Sequence, residues 1–276
     1  MPESLTQAEP IALSQAVSPL VLAMDIGSTS SRAAVHDALA RPVVGHQTEA
    51  KHRFHEASDG TSEIDADAMV AEISGLIGET VQGLPASSIA AVAMDTFASS
   101  LVCVDDHGGA LTPCISYADA RSAGHIAALA ERLGSERVHQ LTGVRLHTSY
   151  LPARLAWLRA ERPEVWAATA KFASLGEYIF DHLAGVDACA TATMAWAGML
   201  DRHTGRLSAE LLEATGVRAE QFGPLVDPDE PQSAIGELVD SRWPALAGAV
   251  WFPAIPDGYA SNVAVSYTHL TLPTIA

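Results

Sequence analysis

The sequence predicts an α/β fold built on a mixed sheet, and three features predict it. Two apolar runs, Leu20-Val21-Leu22-Ala23-Met24 and Ala33-Ala34-Val35, flank a short polar turn, the pattern of an antiparallel hairpin. A helical stripe then leads into Ile89-Ala90-Ala91-Val92-Ala93-Met94, a continuous apolar run of the kind found in strands buried on both faces. Late in the chain, Val250-Trp251-Phe252-Pro253-Ala254-Ile255 repeats the strand-like composition and runs into Pro256-Asp257-Gly258.

Taken in order, residues 1–18 carry Pro2 and Pro10 with little periodicity and are expected to be a disordered leader. The fold proper begins at Leu20 and runs strand, turn, strand to His36, with a third strand near Val43-Val44 completing a small meander. Asp65 is a helix cap, and Met69, Val70, Ile73, Leu76, Ile77 and Val81 fall on one helical stripe that Gly83-Leu84-Pro85 ends. With the apolar run at 89–94 the order is βββαβ. A second hairpin is expected from 101–104 through the turn Asp105-Asp106-His107-Gly108-Gly109 into Ile115-Ser116-Tyr117. The next hundred residues read as largely helical, with segments at 123–133, 135–141, 152–162, 163–169, 177–183 and 208–214.

Composition narrows the setting. A chain of 276 residues with 48% hydrophobic content buries a substantial core as one large or two small domains. Its formal charge of -17 and the lack of any Lys/Arg block argue against nucleic acid as a partner. A small anion such as ATP stays compatible, because a loop with bound magnesium outweighs the global field locally. Cys103, Cys114 and Cys189 are too widely spaced for a zinc cluster or disulfide framework and read as core thiols of a reducing cytosol. The first residues lack the basic n-region of a secretory signal, and no apolar run approaches the ~18 residues of a membrane span. A cytoplasmic protein without a membrane partner is the expectation. The histidines show no H-x-x-x-H pair to build a metal site.

The stretch that carries most chemistry is Asp25-Ile26-Gly27-Ser28-Thr29-Ser30-Ser31-Arg32. An acid at a strand end can hold hydrated magnesium, while Gly27 and the four hydroxyl residues 28–31 offer N–H and O–H donors to phosphate oxygens. An ordinary hairpin turn has the same pattern. Asp257 is a second carboxylate at a strand end, placed as Asp25 is in the first.

Several segments together resemble the N-terminal half of an FGGY-family carbohydrate kinase, a branch of the actin, hexokinase and Hsp70-like ATPases. Residues 25–32 resemble that family's first phosphate motif. Ser116-Tyr117-Ala118-Asp119-Ala120-Arg121 is similar to its Trp-x-Asp-x-Arg segment, with Tyr117 where Trp is usual. Leu141-Thr142-Gly143, Pro152-Ala153-Arg154-Leu155-Ala156-Trp157-Leu158 and Gly198-Met199-Leu200-Asp201-Arg202 follow at family spacing. Pro256-Asp257-Gly258-Tyr259-Ala260-Ser261-Asn262 resembles the segment that supplies the catalytic base. Leu175-Gly176-Glu177-Tyr178 and the run at 143–150 look closest to gluconokinase-like members.

The resemblance implies an RNase H-like mixed sheet with helices on both faces and phosphoryl transfer from ATP, with Mg2+, to a hydroxyl of a sugar or sugar acid. It implies Asp257 as the base, Asp25 as the magnesium-holding acid, and Gly27, Ser28, Thr29, Ser30 and Arg32 at the nucleotide. Phe97, Ser99, Asp119, Arg121, Tyr150 and Asp257 would face the substrate, although Asp119 and Arg121 also read as a local ion pair and Tyr150 as a core residue. A homodimer of the intact parent is compatible with it.

Two departures qualify these expectations. The stretch Phe97-Ala98-Ser99 is smaller and less polar than the family's usual groups there, which opens the identity of the sugar. The family-like part is expected to span 19–263, with 264–276 a tail that resembles a translated sequencing adapter. On that reading the chain is a truncated substrate lobe with negligible turnover, and a noncatalytic sugar-binding module is the competing reading.

Overall fold

The computed structural model describes residues 9–268. β1 (Leu20–Ile26), β2 (Ser30–His36) and β3 (Pro42–Lys51) form the expected meander, with Ala23 opposite Ala34 and Asp25 opposite Arg32. Along β1, Leu22, Met24 and Ile26 point into the core while Val21 and Ala23 are only half-buried. β3 runs well beyond the Val43-Val44 pair that marked it in the sequence. It closes one edge of the sheet, where polar residues are tolerated and apolar alternation fades.

Two short strands, β4 (His55–Glu56) and β5 (Ser62–Ile64), precede α1 (Ala66–Thr80). Asp65 caps α1 by accepting from the Ala68 N–H at 2.8 Å, and the helix buries Met69, Ile73, Leu76 and Ile77. β6 (Ile89–Thr96) then lies parallel to β1. Its apolar run suggested burial on both faces, but burial alternates: Val92 and Met94 lie inside, whereas Ala91 and Ala93 are half-buried. Small alanines, not large side chains, make that run apolar.

The second hairpin closes as expected, Leu101 exchanging both backbone hydrogen bonds with Ile115 and Val104 bridging to Ala110, but its strands take their longer ladders elsewhere. β7 (Val102–Val104) turns at Asp105, whose Oδ1 accepts from the His107 and Gly109 N–H groups, but β8 (Cys114–Ile115) pairs with β5. The ladder partner of β7 is β9 (Lys171–Ala173), distant in sequence. Between them lie α2 (Ile126–Leu133), α3 (Ser135–Thr142), α4 (Leu151–Glu161) and α5 (Pro163–Ala168), followed by α6 (Leu175–Ala184). These match the expected helices, with a 3-10 turn at Arg121–His125 in place of the start of the first.

The region after α6 holds β10 (Cys189–Ala190), α7 (Thr191–Trp196), β11 (Leu200–Asp201), β12 (Arg206–Leu207), α8 (Ala209–Thr215) and β13 (Leu225–Val226). β14 (Gln232–Ser233), α9 (Gly236–Val239), β15 (Val250–Trp251), β16 (Ile255–Pro256) and α10 (Asp257–Thr268) follow. The expected strand at 250–255 is two pieces, both parallel to β6, separated around Pro253, which has no N–H for the ladder. The main sheet runs β14-β15-β6-β1-β2-β3, with β16 also beside β6.

One core cluster sits on the sheet under α1 and α6 and includes Leu22, Ile77, Val92, Phe180 and Trp251. A second, with Leu155, Phe172, Met199 and Phe222, holds the helical region. All three cysteines are buried and unpaired, and burial pushes the Cys103 thiol up to about 11 and Cys114 up to about 12. Among the described residues no helix is long and apolar enough to cross a membrane.

The ends differ from expectation in one respect. Residues 1–8 of the expected leader lie outside the described residues, but Ile11 exchanges backbone hydrogen bonds with the β3 strand, and the Val17 N–H reaches Asp37 Oδ2 at 3.1 Å. Within the expected leader, the segment from Ile11 onward is therefore tied to the sheet. α10 carries helix through Thr268, and residues 269–276 of the expected tail lie outside the described residues.

Candidate active site

Three parallel strands deliver three carboxylates to one end of the sheet. The β1–β6 register sets Asp25 opposite Asp95, and β16 pairs Ile255 with Asp95 and Pro256 with Thr96, so Asp257 follows at the first position of α10. The crevice outside the carboxyl ends of parallel strands is where α/β sheets bind ligands. Burial, with the nearby charges of Asp25 and Asp257, pushes the Asp95 carboxyl up to about 7. Asp257 Oδ1 accepts the Gly258 N–H at 2.6 Å. Arg32, across the hairpin from Asp25, lies 3.8 Å from its Oδ2 and 3.5 Å from Glu49 Oε1.

The Asp25 hairpin is a tight turn closed by Gly27 N–H to Ser30 O at 3.0 Å. A Cβ on Gly27 would lie 3.1 Å from that same oxygen, so a side chain there would press on the turn's backbone. Thr29 is exposed, and Ser28 and Ser30 are half-buried. Ser31 is fully buried with its Oγ unpartnered, because the pleat turns it inward; of the four hydroxyl residues in the motif, it does not face a ligand.

His52, just past β3, holds the hairpin from beneath. Its Nε2 is 3.0 Å from Gly27 O and its Nδ1 is 3.0 Å from Glu72 Oε1 on α1.

Beside the hairpin opens a cleft of about 320 Å³ lined by Ser28, Thr29, Arg53, Phe54, Ser116 and Tyr117 among others. Phe97, 1% exposed, does not line it but packs against two residues that do: its ring meets Phe54 edge-on at 5.3 Å and Tyr117 at 6.5 Å. Ser99 is buried and donates its hydroxyl to Trp196 O at 3.2 Å. Asp119 is fully buried and accepts from the Ser62 N–H and from Arg121. Arg121 spans Asp119 and Glu63 at 2.8 and 3.0 Å and stacks on Trp157. The pair thus satisfies itself with protein groups, the local of the two readings the sequence left open. Tyr150 is half-buried beside Gly198, ahead of α4.

The geometry therefore gathers Asp25, Ser28, Thr29 and Asp257 near the strand ends and adds four residues that sequence reasoning passed over. Asp95 ends an apolar run as Asp25 and Asp257 do, so a signal for it was present. His52, Arg53 and Phe54 follow a polar edge strand and carry no pattern that marks them.

Magnesium fits this corner in a limited way. Among the described residues no three acidic, histidine or cysteine side chains stand close enough to form a metal-binding set. Asp25, about half exposed and set among other carboxylates, can supply one ligand, leaving the remaining positions to water and phosphate oxygens, the usual habit of this ion.

Residues 20–248 match the sequence profile of the FGGY family of carbohydrate kinases, N-terminal domain. The chain is 24% identical to a gluconokinase of Bacillus subtilis over 89% of its own length and 48% of the relative's. It is 28% identical to an autoinducer-2 kinase of Klebsiella pneumoniae, over 83% of this chain and 43% of that protein. In fold it is similar to the gluconate kinase of Lactobacillus acidophilus, with a TM-score of 0.81 at 21% identity, covering 88% of this chain and 49% of that one. The chain thus spans about half the length of the relatives it matches.

Proposed function

Since the chain belongs to the FGGY family of carbohydrate kinases, we propose that it is the substrate-side lobe of an enzyme that phosphorylates a sugar or sugar acid from ATP. The observation that carries this reading is the convergence of Asp25 and Asp257 on the ends of the two parallel strands that flank β6, beside the hydroxyl-rich hairpin. Asp257 is the general base. Its carboxylate takes the proton from one substrate hydroxyl as that oxygen bonds to the terminal phosphorus of ATP and the bond to the leaving ADP oxygen breaks. Gly27, Ser28, Thr29 and Ser30 donate to phosphate oxygens, and Arg32 stands across the hairpin beside Asp25. Magnesium, when bound at Asp25, neutralises charge on the phosphates. The Phe54 and Tyr117 rings give the sugar apolar walls, with Ser116 between them and the hairpin.

The test is sugar-dependent ADP release. A protein carrying this chain together with the length its relatives have beyond it should turn over, and Asp257→Asn should cut the rate by about 10²–10⁴ while leaving sugar binding in place. The 276-residue chain alone should bind sugar with negligible turnover. Equal rates for the wild type and Asp257→Asn would overturn the assignment of the base.

A noncatalytic sugar-binding module is the second reading, favoured by Ala98 and by the Ser99 hydroxyl already donated to Trp196. Micromolar sugar binding by this chain, with no ADP release from the longer protein, would select it.

A further inference from the structure

Most donor groups around the cleft are already committed. Arg121 is held between Asp119 and Glu63, Arg32 between Asp25 and Glu49, and both His52 nitrogens face Gly27 O and Glu72. Arg53 differs. It is exposed, lines the cleft beside Phe54 and Tyr117, and makes no hydrogen bond or ion pair among the described residues. It also lines an adjoining hollow of about 380 Å³ with Glu63 and Pro113, so the guanidinium stands where the two spaces meet.

We propose that Arg53 is the specificity residue of this lobe and that it pairs with the carboxylate of an acyclic sugar acid. The inference rests on the proposed sugar-kinase function and names the substrate class within it. Three arguments support it. A guanidinium offers a planar fork of N–H donors that matches a carboxylate in bidentate fashion. The protein carries a net charge of -17, and Asp25, Asp95 and Asp257 crowd the same strand ends, so an anionic substrate needs a local unpaired cation to enter. A neutral polyol offers hydroxyl acceptors but no anionic group, so it gains no charge-assisted bidentate pairing from the same guanidinium. Among the described residues Glu56 lines the same cleft and lies exposed on β4, where salt and water screen it, while Glu63 and Glu72 of the adjoining hollow are engaged by Arg121 and His52.

The shared chemistry is an anionic oxygen, and a nucleotide phosphate presents it too, so the experiment separates the two. Titration calorimetry on the 276-residue chain compares D-gluconate, its neutral counterpart D-sorbitol and MgADP, for the wild type, Arg53→Gln and Arg53→Lys. Gluconate should bind at least about tenfold more tightly than sorbitol. Arg53→Gln should erase that preference, Arg53→Lys should keep part of it, and neither should change sorbitol or MgADP affinity. Unchanged far-ultraviolet dichroism and melting of the variants establish that the fold is kept.

The proposal is overturned if gluconate and sorbitol bind alike in the wild type, or if Arg53→Gln leaves the preference intact. It is also overturned if Arg53→Gln weakens MgADP and spares gluconate, which would place the anion on the nucleotide. In each of these outcomes sugar binding persists and the sugar-kinase reading stands. Failure of both ligands to bind would sink the two together.

Discussion

Asp95 is the residue where burial and function meet. Its carboxyl stands at about 7 in the folded chain against an ordinary 3.8, because burial and then the Asp25 and Asp257 charges disfavour ionisation. A raised acid binds its proton more tightly when folded, so stability is highest below the unfolded value and falls as pH rises from about 4 to about 7. Above that window the loss is complete. Asp95→Asn keeps the shape and removes the charge, and should stabilise the chain at pH 8 by about 1–3 kcal/mol with little effect at pH 4. Urea unfolding of both proteins from pH 4 to 8 checks this; parallel pH profiles would refute the role of burial. Arg154 is the opposite case, a fully buried guanidinium donating to the Thr148, Ile115 and Ser149 carbonyls, its pKa brought down to about 10 by burial. Arg154→Leu takes the guanidinium donor from the Thr148 and Ser149 carbonyls, while Ile115 O keeps the Leu101 N–H, and a loss of about 3 kcal/mol in denaturant unfolding is expected.

Among the elements, the first turn of α6 sets the position of β16. Ser174 and Glu177 form a capping box, and the Leu175 N–H donates to Ser100 Oγ at 2.9 Å, locking the turn onto the end of β6. Gly176 makes this approach possible: a Cβ there would lie 2.6 Å from Ala254 Cβ and 3.1 Å from Thr96. Gly176→Ala should therefore cost about 1–3 kcal/mol in unfolding by urea. Because Ala254 sits three residues before Asp257, the same variant should reduce turnover of the longer protein more than it reduces sugar affinity. A variant as active and as stable as the wild type would show that β16 yields freely. Gly258 is similarly tight, its absent Cβ taking the space of the Trp196 ring, which fixes how α10 leaves the sheet.

For the whole molecule, charge is the governing quantity. A net charge of -17 spread over 276 residues repels itself in the compact state, and the carboxylates at the strand ends concentrate that repulsion. Magnesium bound at Asp25 should raise the melting temperature at pH 8, where Asp95 is ionised, more than at pH 5, where it holds its proton. Asp25→Asn should abolish the difference, and chelation should reverse it in the wild type. Differential scanning calorimetry at matched ionic strength separates this from general screening.

How much was legible in advance follows from the range of the interactions involved. The meander, the α1 helix with its Asp65 cap and the carboxylates at 25 and 257 are local patterns, written in apolar runs and in the residues that end them. They were readable because strand period, helix period and capping act within a few residues. The pairing of β7 with β9, the break of the last strand around Pro253 and the cluster of Asp95 with Asp25 and Asp257 depend on partners distant in the chain. So does the choice between Arg121, consumed by Asp119 and Glu63, and Arg53, which lines the cleft and makes no ion pair among the described residues. Both are arginines next to polar loops in the sequence. Only tertiary contact decides which guanidinium is neutralised by the protein, because that depends on which carboxylates the fold brings within a few ångströms.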